Sequence, residues 1–530
     1  MTTNAAEDEA SRGAGLLVPL FSCTSTRSWG IGDICDIPPF ARWIASAGLR
    51  VLQLLPVNEM APRQRSPYSA ISAMAIDPIF IGVDQVEDFA ALGGETALGP
   101  AERDVLARVR SAPAVDHPDV RSLKETALRQ AFERFVRCEQ GARTARWRDL
   151  ERFVEREAWW LGAYAVFRAI HATEGERPWT EWPEGLRHRD PAAIEEARRE
   201  LDGEVRFQQY LQWVADRQWR AARAAVPEVA LYGDLPFMVD ADSADVWSRP
   251  GDFRLDVSVG VPPDAFSATG QDWGMPTYRW DAMAPGGYAW LRERARRAAD
   301  LYDGYRIDHL VGFYRTYGRP KDGSPAFFDP ESEADQIAQG ERLLELFRAS
   351  GAAIIAEDLG TVPDAVRESL ARLGIPGFKV LRWERHWHTE GQPFRDPREY
   401  PARSVAASGT HDTAPLAVWW EEAGDEERRQ LNDLALVREW TRGTGLPAAF
   451  SPAVRDTLLE LLFASGSRLA LFPVQDVFGW HDRVNEPATV NDRNWSYRLP
   501  WPVDRWDDVP EARERRDALR GWAERHGRAA

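Results

Sequence analysis

Three apolar runs of this sequence each end near an acidic residue, and together they could supply the carboxylates of a glycosidic reaction. Each run has the length of a buried strand, and helical sequence separates them. In a barrel of parallel strands the carboxyl ends share one face, so we expect the three carboxylates to converge there with His309 and His411. Such a group is what breaking or making a glycosidic bond requires. The residues are Asp308 in the run 304–309, Glu357 in 352–358 and Asp412 in 404–412.

Asp308 follows Arg306 by two residues, so on an extended strand both side chains point to the same side. Arg306 would then hold Asp308 ionised through a charge-assisted hydrogen bond, as a nucleophile at neutral pH requires. A structural ion pair at a strand end is the alternative. The adjacent His309 and the two further acidic strand ends favour the catalytic interpretation.

Glu357 ends the apolar run 354–356, and a carboxyl group among apolar neighbours has the raised pKa that a general acid needs. Alternatively, Glu357 or Asp358 only caps the following loop. His411 and Asp412 would hydrogen-bond sugar hydroxyls, in contacts that strengthen as the ring approaches an oxocarbenium ion. A structural His–Asp pair remains the alternative at this position.

The elements that must position these residues alternate between strand and helix about eight times. This alternation predicts an α/β fold, a (β/α)8 TIM barrel, in preference to an open doubly wound sheet. Strands are expected at 48–56, 79–81, 229–236, 305–307, 353–355, 378–381, 405–407 and 469–472, and helices at 38–47, 288–303, 331–350, 362–373, 425–442 and 452–463.

The rest of the chain divides into a tail, an insertion and a loop. Residues 1–14 are expected to be a disordered tail, ahead of a catalytic barrel over 15–530. Helical periodicity and dense charge over 85–228 predict a helical insertion subdomain, with a separate domain as the alternative. Residues 252–281 are rich in glycine and proline and lack periodicity, which is typical of an active-site lid loop.

Composition limits the classes of partner and the cellular compartment that we expect for this protein. The 530 residues carry a net charge of −17, which disfavours nucleic acid as a partner. No apolar run approaches the roughly 20 residues that span a bilayer, so no membrane association is expected. The N-terminus is acidic, and the three cysteines lack metal or disulfide spacing. These features predict a cytoplasmic protein.

Other chemistries find little support. Nucleotide-binding glycine motifs and a Gly-x-Ser-x-Gly elbow are absent from the sequence. His386 and His388 could share one side of a strand and bind a metal ion, but the sequence offers no obvious third ligand. No cofactor is expected, because a two-carboxylate mechanism needs neither a metal nor a nucleotide.

Several motifs, taken with the three acidic strand ends, resemble one family, the amylomaltases. These are 4-alpha-glucanotransferases, or disproportionating enzymes, of glycoside hydrolase family 77 in the alpha-amylase clan. The resemblance extends over about residues 16–502. Its motifs are Trp-Gly-Ile-Gly-Asp at 29–33, Ser-Pro-Tyr-Ser-Ala at 66–70, Gly-Asp-Leu-Pro at 233–236 and Gly-Val-Pro-Pro-Asp at 260–264.

The resemblance implies a retaining transglycosylase that moves α-1,4-glucan segments through a covalent intermediate, acting on maltooligosaccharides, starch or glycogen chains. It implies Asp308 as nucleophile, Glu357 as acid/base and Asp412 as transition-state stabiliser. An α-glucan hydrolase of the same clan and a non-catalytic glycan-binding protein remain the alternatives. The candidate substrate-binding residues are Ser66, Tyr68, Asp234, Phe266, Gln271, Trp273, Arg306, His309, His411 and Asn485.

Three positions depart from the family's pattern. Many relatives carry an aromatic residue at the position of Ala265, and asparagine at those of Met275 and Thr413. All three touch the expected acceptor side. They leave open the chain-length preference and the formation of cyclic glucans, and the sequence does not fix the oligomeric state.

Overall fold

The computed structural model describes residues 12–62, 64–263, 270–487 and 489–529. Its strands are β1 (Gly13–Val18), β2 (Val51–Leu54), β3 (Ala230–Leu235), β4 (Phe253–Val261), β5 (Gln271–Tyr278), β6 (Gly304–Ile307), β7 (Thr316–Pro320), β8 (Phe327–Asp329), β9 (Ala353–Ala356), β10 (Gly377–Val380), β11 (Ser404–Ala407) and β12 (Leu469–Pro473). Eight of these close a parallel barrel in the order β1, β12, β11, β10, β9, β6, β3, β2. The predicted TIM barrel is confirmed.

Helices surround the barrel and fill the connections between its strands. They are α1 (Ile37–Ser46), α2 (Glu87–Ala90), α3 (Pro100–Ser111), α4 (His117–Phe135), α5 (Ala145–Arg156), α6 (Ala158–Thr173), α7 (Glu184–Arg187), α8 (Pro191–Glu200), α9 (Asp202–Ala224), α10 (Ala244–Ser248), α11 (Trp280–Met283), α12 (Ala289–Leu301), α13 (Val311–Tyr314), α14 (Glu333–Arg348), α15 (Asp364–Leu373), α16 (Leu416–Glu422), α17 (Asp425–Asn432), α18 (Ala435–Trp440), α19 (Pro452–Phe463), α20 (Val474–Phe478) and α21 (Pro510–Arg525). No helix in the described ranges has both the length and the apolar character needed to cross a bilayer.

The barrel begins one strand earlier than the sequence predicted. The strand β1 pairs with β12 and β2, so residues 13 and 14 belong to the barrel and the predicted tail was wrong there. Residues 1–11 lie outside the described residues. The run 48–56 therefore supplies the second strand, and the strand expected at 79–81 is a 3-10 turn over Pro78–Phe80.

The segment 252–281 was predicted as an irregular loop, and that expectation was wrong for most of its length. It contains β4 and β5, which pair as antiparallel strands in a four-stranded sheet of order β5, β4, β7, β8. The predicted helix over 425–442 is two helices, α17 and α18. Short strands with glycine and proline give weak sequence signals, and their pairing partners lie far along the chain.

The chain between β2 and β3 packs helices beside the loop that carries Ser66 and Tyr68. Within 85–228 the described residues form helices and turns without a strand. Glu59, at the root of that loop, accepts a hydrogen bond from Tyr164 of α6 and lies 3.1 Å from Arg168 of the same helix. Glu59 is almost fully buried, so loss of either partner of this ion pair would leave an uncompensated buried charge where the helical region meets the loop after β2.

The neighbouring strands β3, β6 and β9 bring four of the predicted residues close together. Asp234 on β3 is paired in register with Arg306 on β6, and Ile307 is paired with the last residue of β9. Asp308 and Glu357 each follow directly on these strands. Because parallel strands place their carboxyl ends on one face, both carboxylates start their loops side by side.

Candidate active site

Arg306 lies between two carboxylates at the catalytic end of the barrel. Its Nη1 is 2.8 Å from both carboxylate oxygens of Asp234 and 3.0 Å from Oδ1 of Asp308. Arg306 and Asp234 are buried, whereas Asp308 is half-buried and keeps access to the cleft. The geometry therefore orients Asp308 and offsets its charge, as the sequence spacing predicted.

Glu357 is held in a different environment. Its Oε2 accepts a hydrogen bond of 2.9 Å from the backbone N–H of His309. Burial, together with the negative charges of Asp308 and Asp358, raises the pKa of Glu357 to about 7, against the opposing effect of Arg306. A carboxyl group with this pKa can give and take a proton at neutral pH.

The sequence left open which of Glu357 and Asp358 has a structural role, and in the structure Asp358 has it. Its Oδ1 accepts a hydrogen bond of 2.8 Å from the backbone N–H of Phe378, and its Oδ2 lies 3.2 Å from Arg367. A Cβ on Gly377 would lie 2.4 Å from Asp358, so the strand β10 needs glycine there.

Asp412 is fixed from two sides. Its Oδ1 accepts a hydrogen bond of 2.7 Å from Nδ2 of Asn485, and its Oδ2 lies 3.2 Å from Nε2 of His411. Burial alone would raise the pKa of Asp412, but the charge of His411 and the two hydrogen bonds outweigh burial and lower it to about 2. The same pairing raises the pKa of His411, although burial opposes it. Asp412 is therefore ionised at neutral pH.

The phenol of Tyr68 joins the two halves of the site. It donates a hydrogen bond of 2.7 Å to Oδ2 of Asp234 and lies 3.1 Å from Nε2 of His411. The Tyr68 ring stacks on the imidazole of His411 at 5.3 Å between centroids. Ser66 accepts a hydrogen bond from the backbone N–H of Tyr68 and so shapes the turn that presents this ring.

His309 and Trp273 form a second wall of the site. The two rings meet edge to face at 4.8 Å, and the indole N–H of Trp273 donates to Oε1 of Gln271. Burial lowers the pKa of His309 to about 4, so this imidazole is neutral at pH 7. Trp273 is half-buried on β5 and is not part of the barrel wall. Phe266, predicted beside it, lies outside the described residues.

The structure adds two residues that sequence reasoning missed. The indole of Trp495 lies against both Tyr68 and His411, each at 5.8 Å between ring centroids. Arg483 donates a hydrogen bond to the backbone carbonyl of Asp412. Both lie more than 70 residues from their partners and have no local motif of their own. Asn485, predicted as a sugar contact, is seen here holding Asp412.

Known proteins resemble this chain over nearly its whole length. The family model described as glycoside hydrolase family 77, 4-alpha-glucanotransferase, matches residues 18–504. The chain belongs to this family. It is an enzyme of the transglycosylase type, and the resemblance predicted from the motifs is confirmed.

Individual relatives agree with the family match. A 4-alpha-glucanotransferase of Chlamydia caviae is 31% identical over 92% of this chain and 91% of its own length. A 4-alpha-glucanotransferase of Thermus thermophilus is 33% identical over 93% of this chain and 95% of its own length. Among solved structures, an amylomaltase from Streptococcus agalactiae in complex with acarbose superposes with a TM-score of 0.81 at 25% identity, covering 98% of this chain and all of that one.

Proposed function

We propose that this enzyme transfers α-1,4-glucan segments by a retaining double displacement, with Asp308 as nucleophile and Glu357 as acid/base. The observation that carries the proposal is the difference between the two carboxyl groups. Asp308 lies 3.0 Å from a guanidinium, whereas Glu357 has a pKa of about 7. Two neighbouring carboxyl groups in such different environments are suited to opposite roles.

In the first step a carboxylate oxygen of Asp308 attacks C1 of the donor sugar. The bond from C1 to the bridging oxygen breaks, and Glu357 gives its proton to that oxygen, which leaves as a free 4-hydroxyl. Asp412 and His411 hold hydroxyl groups of the same sugar, in contacts that strengthen as positive charge develops on the ring. Neutral His309 can donate to a further hydroxyl without adding charge.

In the second step the 4-hydroxyl of an acceptor glucan gives its proton to the Glu357 carboxylate. The hydroxyl oxygen attacks C1, and the ester bond to Asp308 breaks. The anomeric configuration is inverted twice and so retained. The half-buried wall of His309 and Trp273 supports transfer over hydrolysis, because an ordered acceptor displaces the water that would otherwise attack.

The expected substrates are maltooligosaccharides and the chains of starch or glycogen. The acarbose complex of the streptococcal relative supports an α-glucan in this cleft. A cytoplasmic location, where such chains occur with reduced thiols, fits the three free cysteines Cys23, Cys35 and Cys138.

Incubation with maltotriose tests the proposal. We expect glucose and longer oligomers to appear while the total of reducing ends stays constant, because each transfer breaks one glycosidic bond and makes one. A rise in reducing ends equal to the bonds broken would instead identify a hydrolase. An unchanged maltotriose pool would overturn the proposal.

A further inference from the structure

Trp387 is unusual among the tryptophans of this chain. Of the 23 tryptophans, all within the described ranges, 22 are buried or half-buried, whereas Trp387 is 54% exposed. The other exposed large apolar side chain among the described residues is Val490. A single exposed apolar side chain is common on protein surfaces, so any role for Trp387 depends on where the fold places its indole.

The backbone around Trp387 is a short antiparallel ribbon. Arg385 pairs with Phe394 across it, and the N–H of His386 donates to the carbonyl of Pro393 at 2.9 Å. A second bond of 3.0 Å joins Arg395 to Glu384. These backbone hydrogen bonds fix the orientation of the ribbon, and Trp387 lies at its tip.

Arg385 ties the ribbon to the helix α17. Its guanidinium lies 2.6 Å from Glu427 and 2.9 Å from Gln430, and it stacks over the ring of Phe394 at 3.8 Å. Gln430 also donates to the carbonyl of Gly391 on the opposite arm. With these anchors the ribbon is preorganised, so a ligand on Trp387 would order little further backbone.

The ribbon belongs to the catalytic end of the barrel. It follows the carboxyl end of β10, whose neighbours in the barrel are β9, which leads into Glu357, and β11, which leads toward Asp412. At its root, Arg382 donates to the carbonyl of Ala414, two residues after Asp412. Trp387 lies five positions after Arg382, a span of at most about 18 Å of extended chain. One glucan chain could therefore reach both the cleft and the indole.

We infer that Trp387 is an accessory platform on which a remote glucose unit of a long α-glucan stacks. The inference rests on the proposed function for the identity of the ligand. A pyranose presents an apolar C–H face that matches an indole, and its hydroxyl edges find polar partners in His386 and His388 beside it. Only a chain long enough to leave the cleft would use this platform.

Affinity measured without turnover tests the platform. In an Asp308→Ala background, we expect Trp387→Ala to weaken retardation by amylose in native gels by about fivefold in apparent Kd, equivalent to ~1 kcal/mol. Trp387→Phe should recover most of the affinity. Val490→Ala, at the other exposed apolar side chain, is the control and should bind amylose as the parent does.

Turnover gives an independent readout. In otherwise active enzyme, the ratio of kcat/KM on long amylose to kcat/KM on maltotriose should fall about fivefold in Trp387→Ala. Equal amylose affinity in the variant and its parent would overturn the inference, whatever the enzyme's reaction proves to be. Concentration-dependent sedimentation that Trp387→Ala abolishes would also overturn it, because a second copy of the chain would then be the occupant.

Discussion

The backbone N–H of His309 donates a hydrogen bond to Oε2 of Glu357 across 2.9 Å. His309 is the residue after Asp308, and its φ of 42° lies in the left-handed region that side chains with a Cβ rarely adopt. This turn directs the N–H toward the neighbouring loop. The proposed nucleophile Asp308 and the proposed acid/base Glu357 are thus coupled through one peptide unit, so a change in either loop should disturb both.

The pH dependence of kcat/KM should follow the titration of Glu357. The first step needs Glu357 protonated, and its pKa is raised to about 7, so kcat/KM on maltotriose should fall tenfold per pH unit above about pH 7. Glu357→Gln should be slower by roughly two to four orders of magnitude and should lack this alkaline limb. An identical limb in Glu357→Gln would assign the titration to another group.

Asn485 should act through Asp412. Asn485→Ala removes the 2.7 Å hydrogen bond to this carboxylate, and such a bond to a charged group typically corresponds to a roughly ten- to hundredfold change. We therefore expect kcat/KM to fall by about that factor in a variant that still folds. Asn485→Asp should be slower still, because two carboxylates would face each other.

The control for Asn485 is His481→Ala. His481 is exposed in the same connection after β12 and pairs with Glu421 at 3.1 Å. The His481→Ala variant should keep the wild-type kcat/KM. Near-normal activity of Asn485→Ala would mean that Asp412 does not need this partner.

The indole of Trp273 should raise the ratio of transfer to hydrolysis. Its indole packs edge to face on His309 at 4.8 Å, at the wall where we place the acceptor. Trp273→Ala should lower transfer on maltotriose and raise the fraction of intermediate lost to water, seen as new reducing ends.

Trp440→Ala is the matched control for Trp273. Trp440 is also half-buried against a histidine, His526, but it lies on α18, and the segment after His526 contacts the amino ends of β1 and β12 instead of the carboxyl ends. The Trp440→Ala variant should have the same ratio of transfer to hydrolysis as the wild type. If Trp273→Ala keeps the wild-type ratio as well, the wall has no part in excluding water.

Much of this architecture could be predicted because its signals are local. Asp308, Glu357 and Asp412 each stand at the end of an apolar run, and the alternation of strand and helix placed those ends on one face. The spacing of Arg306 and Asp308 also predicted their contact, which is found at 3.0 Å.

The missed features depend on contacts between distant parts of the chain. The strand β1 contains Gly15, a weak strand residue by composition, yet a Cβ there would lie 2.4 Å from the carbonyl of Val51 on β2. The pairing of β4 with β7 joins segments about 60 residues apart. In the same way, Arg483 and Trp495 reach the site from the connection after β12, and only the closed barrel brings them to Asp412 and Tyr68.

The most direct test is to trap the intermediate on Asp308. Glu357→Gln protein treated with α-maltotriosyl fluoride, whose fluoride leaves without protonation, should accumulate a glycosyl ester because no base activates the acceptor. Peptide mass spectrometry should then find a maltotriosyl adduct on Asp308, absent from the double variant Asp308→Ala, Glu357→Gln. An adduct on another residue, or one that persists in the double variant, would contradict the assignment of the nucleophile.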